Sequence, residues 1–170
     1  MKQITLSHGY FAEIDDADFD LVSMFKWRSK IKSRADGTLR IYAYRRGPRI
    51  GGKRKTIFLH RFIMNAQDGT SIDHVDGNPL NNSRMNLRFC TNSENQRNRV
   101  ARLGSSKFKG VSWNSRDSRW VSQIRIGGKR KHLGYFVNEQ EAANAYDRAA
   151  RKYFGEFARP NLTQAWEVGE

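Results

Sequence analysis

Two runs that alternate with a period of about two, RWVSQIRI (Arg119 to Ile126) and KRKHLGYF (Lys129 to Phe136), are separated only by Gly127 and Gly128. Adjacent glycines suit the tight turns that join twisted antiparallel strands, so this stretch has few alternatives to a hairpin. The run FKGVSW, joined to it by NSRDS, reads as a third strand. Next comes NEQEAANAYDRAARKYFGE, with Asn138 as N-cap, acidic residues in its first turn and Gly155 as its close. Its Ala142, Ala145, Tyr146, Ala149 and Ala150 recur at helical spacing, and the small alanines would let the helix lie close against a sheet. Three strands and a helix predict a compact unit of about fifty residues.

That unit is a minority of the chain, whose 170 residues fit one ordinary domain or two small ones. Lys and Arg number 31 against 17 Asp and Glu, a net charge of +14. Such a surplus points to a polyanion, because neutralising phosphates releases condensed counterions. The charge is spread along the chain: Ser106 to Asn161 holds twelve basic and five acidic residues, and the remainder has the same surplus. A membrane surface is the rival polyanion. Against it, the sequence has no apolar run of about 18 residues and no basic helix with a bulky apolar face. The start, MKQITLSHGYF, lacks a signal-peptide core, so an intracellular protein is expected. A single cysteine, Cys90, leaves no internal disulfide and no Cys-rich zinc site.

Before the hairpin unit the chain divides further. Up to about residue 58, the short runs YFAEI, FKWRSKIK, RIYAYRR and KRKTIF read as strands. Between the first two, DDADFDLVSMF sets Phe19, Val22 and Phe25 at helical spacing behind acidic residues and predicts a short helix. Residues 59 to 99 read as strand, loop, strand and helix: TSID, then DGNPLNN, then NLRFCT, then NSENQRN. Thr91 and Glu94 have the spacing of a capping box, which puts Asn95 in the first helical turn. The stretch RVARLGSS follows as a flexible linker whose two arginines suit phosphate.

The hairpin unit resembles an AP2/ERF domain from Lys107 to Asn161. The resemblance rests on GV in the first strand, W and I in the second, LGYF in the third, EAANAYDRAA in the helix and a final Asn. It implies that the sheet, not the helix, enters the DNA major groove. Strand parity supports a binding face: Arg119 and Arg125 share one face of their strand, with Ile124 and Ile126 on the other. Lys109 and Trp113 share a face of the first strand, and Arg130 is expected to join that surface, as are Arg116 and Lys129. Trp120 shares the parity of the isoleucines and is expected in the core. Arg and Trp on an open face can pair with guanine edges or lie along the backbone.

In the middle segment, Asp73 and His74 end one strand and Asn95 opens the helix. Phosphodiester hydrolysis needs a base for water and a cation for the developing charge. A neutral His74 suits the base, and a carboxylate plus an amide oxygen suit Mg²⁺. The stretch LHRFIM…DHVDGNPLNNSRMNLRFCTNSENQRNR resembles the HNH endonucleases, particularly the phage and intron-encoded homing type. That resemblance implies His74 as general base, Asp73 and Asn95 as ligands of one Mg²⁺ or Mn²⁺, and Asn86 as the brace of the loop. Asn95 stands where the literal H-N-H pattern has a third histidine, which weakens any case for zinc. His60, in LHRF, also falls on a family position, beside the site. Asn81, Asn82 and Asn92 read as turn and cap residues, and Asp76 as a brace of the turn.

The expected architecture is therefore α+β. A ββα-metal nuclease unit spans 1–99, with its core at about 59–99 and antiparallel strands before it. A linker at 100–106, an AP2-type unit at 107–161 and a tail at 162–170 complete the chain. The expected function is cleavage of double-stranded DNA, one strand per site, by a monomer or weak dimer in the cytoplasm of an infected bacterial host. A DNA-binding regulator with an inactive HNH fold is the alternative, and an RNA-binding protein a more distant one.

Overall fold

The computed structural model describes residues 1–33, 37–98 and 104–162. The chain falls into two units, Met1–Asn95 and Gln96–Glu170. The linker residues 99–103, with Arg99 and Arg102, and nearly all of the tail lie outside the described residues.

The first unit opens with a two-stranded hairpin, β1 (Lys2–Thr5) and β2 (Phe11–Ile14). Alternate residues of both strands, Ile4, Ala12 and Ile14, point into the core. After a single 3-10 turn over the acidic run comes α1 (Phe19–Ser23), which buries Val22. Its end is pinned by the Trp27 indole, which donates to the Val22 carbonyl at 2.9 Å.

A three-stranded antiparallel sheet follows: β3 (Arg28–Ser33), β4 (Leu39–Ile50) and β5 (Lys53–Phe58), with β4 in the middle. Gly51 and Gly52, both at positive φ (54° and 78°), make the turn between β4 and β5. One face of the sheet, through Ala43 and Arg45, covers Phe25, Trp27 and the helix α2 (Leu59–Ile63). The Arg45 guanidinium lies 4.0 Å from the Phe25 ring centroid and 5.3 Å from that of Phe62. Stacking offers a guanidinium an apolar neighbour that a lysine ammonium would not tolerate as well.

The next hairpin pairs β6 (Ser71–His74) with β7 (Leu87–Cys90), and α3 (Asn92–Arg97) follows. Ile72 and Leu87 join Ile14, Leu59 and Ile63 in one core, so the hairpin is anchored by the residues before it rather than standing alone.

The second unit contains β8 (Val111–Asn114), β9 (Arg119–Ile126) and β10 (Lys129–Phe136), with β9 central, and α4 (Glu139–Phe154). Asn138 accepts from the Gln140 amide at 2.7 Å, the N-cap bond that opens α4. Ala142, Ala143 and Ala150 are fully buried, so the helix backbone lies close to the strands. Gly110 makes the closest approach: a Cβ there would stand 2.1 Å from the Tyr146 ring. Asp147, 1% exposed, accepts from the backbone amides of Asn161 and Leu162. Asn161 in turn bonds both polar backbone groups of Lys109. That network ties the end of the unit to its first strand and accounts for the final Asn. The architecture is α+β in both units, with every strand pair antiparallel.

Candidate active site and nucleic-acid surface

The last two residues of β6 present opposite faces, as alternation requires. Asp73 lies opposite Arg88 and His74 opposite Leu87. Both Asp73 and His74 are buried, at 6% and 7% exposure.

The loop between β6 and β7 is organised by asparagine. Asn86 accepts from the Asp76 amide at 2.9 Å, and its Nδ2 donates to Asp76 Oδ1 at 2.9 Å and to the Asn81 carbonyl at 2.8 Å. Asp76 also caps Asn78 N and binds Asn81 Nδ2, so it braces the turn. Strand β2 holds the loop from outside, with Glu13 N donating to Leu80 O and Asn82 N to Glu13 O, both at 2.8 Å. Arg84 forks onto Asp18 at 2.9 and 2.6 Å and donates its amide to Asp15. The acidic run near the N-terminus thus anchors the loop that follows the histidine.

His74 sits in an aromatic line. Its ring meets His60 edge to face at 5.1 Å, and His60 stacks on Phe58 at 5.6 Å with planes 18° apart. Burial lowers the pKa of His74. The Asn82 amide and the charges of Asp76 and Asp73 oppose that shift, while Arg40 adds to it. His60 is pushed down to about 3, first by burial and then by the charges of His74, Arg61 and Lys32. Both imidazoles are therefore neutral near pH 7, and His74 is able to accept a proton.

The Asp73 carboxylate is clasped by Arg88, whose Nη2 is 2.8 Å and Nε 3.2 Å from Oδ2. Asn95 is half-buried in the first turn of α3, its amide bonded to the Thr91 carbonyl at 3.0 Å. Thr91 and Glu94 exchange the reciprocal bonds of a capping box, which fixes where that turn starts. Among the described residues no group of three His, Cys, Asp or Glu converges as a metal cluster. The buried Asp73 carboxylate and the Asn95 amide oxygen are hard donors of the kind that a divalent metal ion takes.

In the second unit, Arg119, Arg125 and Arg130 are exposed. Arg125 and Arg130 are direct cross-strand partners, and Arg119 shares their face by parity. Arg116 sits in the exposed turn after β8. Three expected members of that surface stand elsewhere. Trp113 is the partner of Trp120, their rings 5.1 Å apart, which puts it on the face of Val111 and Ile124 rather than of Arg119. Lys129 pairs with Ile126 and so belongs to that same inner face by register, at the exposed turn. Lys109 precedes β8 and is drawn inward, where its ammonium donates to the Arg97 carbonyl. Burial, with the Arg159 charge beside it, brings its pKa down to about 8. Trp120 packs with Val111, Ala142 and Ala143 on the helix side.

Two residues of the site escape a reading of the sequence. Asn82 belongs to the turn in sequence but is 0% exposed and faces His74. Its signal is the doubled Asn81–Asn82, where one turn-former suffices. Arg88 carries a period-two clue, since NLRFCT puts a charge between two apolar residues.

Residues 58–97 match the family of HNH endonucleases and residues 106–156 match the AP2 domain. An uncharacterized HNH endonuclease of Acanthamoeba polyphaga mimivirus is 30% identical over 159 residues, covering 90% of this chain and 75% of that one. Protein 3.8 of Escherichia phage T7 is 35% identical over 92 residues, 54% of this chain and 75% of its own. APETALA2-like protein 2 of Oryza sativa subsp. indica is 46% identical over 57 residues, 34% of this chain but only 13% of its own. The first of these, matched over 159 residues, runs through both units. With a buried Asp-His pair at the end of a ββα hairpin and a basic three-stranded sheet beyond it, the chain belongs to the HNH endonucleases and carries an AP2 DNA-binding domain.

Proposed function

We propose that this endonuclease hydrolyses one strand of double-stranded DNA per encounter, with His74 as the general base. The observation that carries the reading is the state of His74: buried, held against His60, and kept neutral near pH 7 by its surroundings. A neutral imidazole nitrogen takes a proton from water as that water attacks phosphorus. The imidazolium formed is steadied by the Asn82 amide and by the charges of Asp76 and Asp73, the groups that oppose the burial shift. Asn86 holds the loop so that the ring keeps its direction. His60 stays neutral and covers one side of the ring.

Asp73 and Asn95 would hold a divalent ion, Mg²⁺ or Mn²⁺. When bound, such an ion stabilises charge on the phosphate and on the leaving 3′ oxygen. The products are a 5′ phosphate and a 3′ hydroxyl. One site per chain cuts one strand, so a monomer nicks, and a double-strand break needs a dimer or a second visit.

In this reading residues 1–99 form the nuclease unit, 100–106 the linker and 107–161 the DNA-binding unit, with 162–170 a tail. The open sheet face of the second unit, through Arg119, Arg125 and Arg130, anchors the enzyme on duplex DNA, with Arg116 on the backbone. The setting that suits such a protein is homing in the cytoplasm of a phage-infected cell. The test is a supercoiled plasmid incubated with Mg²⁺ or with EDTA. Wild type converts it to open circle only with the ion, and His74→Ala binds but does not nick. Wild type that shifts the plasmid on a gel and leaves it supercoiled would instead establish the binding-only regulator.

A further inference from the structure

The first unit carries its surplus charge in one stretch. Residues 21 to 67 hold thirteen Lys and Arg and a single acidic residue, a local surplus of twelve. Most of these cations fall in the sheet β3–β4–β5, and the register sorts them. Arg28 aligns with Tyr44 and Phe58, Lys30 with Tyr42, Lys32 with Arg40, and Arg49 with Arg54. All of these share the face turned away from Ala43 and Arg45, which cover the core. We propose that this outward face is a docking surface for duplex DNA in the nuclease unit, and that its Lys32–Arg40 end delivers the phosphodiester to His74.

Three observations carry the proposal, which rests on the nuclease reading for its second half. First, like charges directly opposite in an antiparallel pair destabilise a sheet, yet this face has two such pairs, Lys32–Arg40 and Arg49–Arg54. Among the described residues none of these four forms an ion pair with a carboxylate. An anion bridging each pair removes the repulsion. The proposed DNA face of the second unit has the same signature in Arg125 and Arg130.

Second, the cations are interleaved with rings. The Lys30 ammonium lies 5.6 Å from the Phe58 centroid, and that of Lys32 lies 5.4 Å from Tyr42. Rings that lend ammoniums a partner keep them extended along the face instead of trailing in solvent. Third, the face runs into the site. Tyr42 and Phe58 both contact His60, and His60 contacts His74. Lys32 reaches the Tyr42 ring and lies opposite Arg40, so that end of the face stands beside the line of rings that leads to His74. A lipid surface would call for bulky apolar residues among the cations, and this face offers tyrosines and one phenylalanine instead.

The test uses the full chain and a labelled 30-base-pair duplex of arbitrary sequence, in EDTA, with affinity followed against KCl by fluorescence anisotropy. Lys32→Gln/Arg40→Gln and Arg49→Gln/Arg54→Gln each remove two outward cations. Lys53→Gln/Lys55→Gln removes two from the opposite face and has the same net charge. Each outward double is expected to lower the slope of log K against log salt by about 1 to 2, at about 0.9 for each phosphate no longer neutralised. The opposite-face control changes it by less than half as much. Equal effects from the two faces would overturn the docking surface, as would an RNA duplex of the same length that loses as much affinity as DNA does. For delivery, nicking is timed in Mg²⁺ at saturating protein. Lys32→Gln/Arg40→Gln slows it at least tenfold, and the opposite-face control leaves it unchanged. A wild-type rate in the outward double overturns delivery. A wild type that fails to nick at all refutes the nuclease reading alone, because the salt slopes are measured without cleavage.

Discussion

The rings of His60 and His74 meet edge to face, 5.1 Å between centroids and 80° between planes. Each keeps water from the other, and burial is the leading cause of the lowered pKa in both. A base must be unprotonated to work. The acid limb of the nicking profile is therefore expected below the ordinary imidazole value of 6.5, with activity falling as pH drops through the His74 pKa. His60→Ala admits water, relieves the burial effect and moves that limb upward toward 6.5, whereas His60→Phe keeps the cover and the limb. Nicking rates between about pH 5 and pH 8 distinguish the two variants. The same pair sets an acid limit on stability. His60 titrates at about 3 in the fold and at 6.5 in the unfolded chain, so between those values the unfolded state binds the extra proton. Unfolding free energy is at its full value above 6.5 and declines by about 1.4 kcal/mol per pH unit on the way down from this group. Urea titrations of His60→Phe are expected to lose that slope.

Arg88 and Asp73 form a pair with little access to solvent, their side chains 13% and 7% exposed. Removing the guanidinium leaves a buried carboxylate without its cation, a change that costs about 3–5 kcal/mol. Arg88→Gln should therefore melt well below wild type in EDTA. If Asp73 is also an oxygen ligand, a divalent ion replaces the missing charge. Added Mg²⁺ should then recover part of the loss in Arg88→Gln while shifting wild type less. Calorimetry with and without the ion checks this; an Arg88→Gln melting temperature that ignores Mg²⁺ would remove Asp73 from the ligand set.

Asn86 makes three side-chain hydrogen bonds across the loop, two of them to Asp76. Asn86→Ala removes three hydrogen bonds made by a buried side chain, at about 0.5–1.5 kcal/mol each, and lets the loop after His74 drift. A displacement of about 1 Å costs on the order of a hundredfold in rate. The variant is expected to bind the duplex normally and nick about a hundred times more slowly. Asn86→Asp keeps the acceptor but sets a second carboxylate against Asp76, so it should not rescue the rate. Gel shift and nicking assays run side by side decide the matter.

How much of this could be read from the chain differs by element. The strands β9 and β10 and the helix α4 start and stop where periodicity, the paired glycines and Asn138 place them, because local pattern and tertiary burial agree there. Strand β4 extends past RIYAYRR to Ile50, through Gly47 and Pro48, which read as breakers. A shift in register between Arg46 and Arg49 absorbs both residues, and no single-strand pattern announces a bulge. The inner placement of Trp113 was hidden for a related reason. Parity orders residues within one strand, but only the loop sets register between two. Here the loop is fixed by Asn114, which binds Asp117 and the Arg116 amide and so brings Trp113 opposite Trp120. The Asp-His pair, the capping box and Asn95 were legible because their spacing is local. The contacts of Asn82 with His74, of Arg88 with Asp73 and of Asp18 with Arg84 join distant residues, and spacing is silent on them.

Gly110 tests the second unit on its own terms. It sits at φ +77°, and a Cβ built there would lie 2.1 Å from Tyr146 Cδ2 and 2.6 Å from the Gln123 carbonyl oxygen. The Gln123 amide also donates to the Gly110 carbonyl at 2.8 Å, so the two backbones cannot separate without losing that bond. Neither obstacle is the loose end of a flexible side chain: one is a buried ring, the other backbone. Gly110→Ala therefore combines overpacking with a strained left-handed residue, and about 3 kcal/mol or more of destabilisation is expected. The damage should be confined to the second unit. Anisotropy titrations should show weakened binding to a 30-base-pair duplex, while near-ultraviolet signals from Trp27, in the core of the first unit, persist. Gly110→Ala that binds and melts like wild type would mean that β8 and α4 pack less tightly than these distances require.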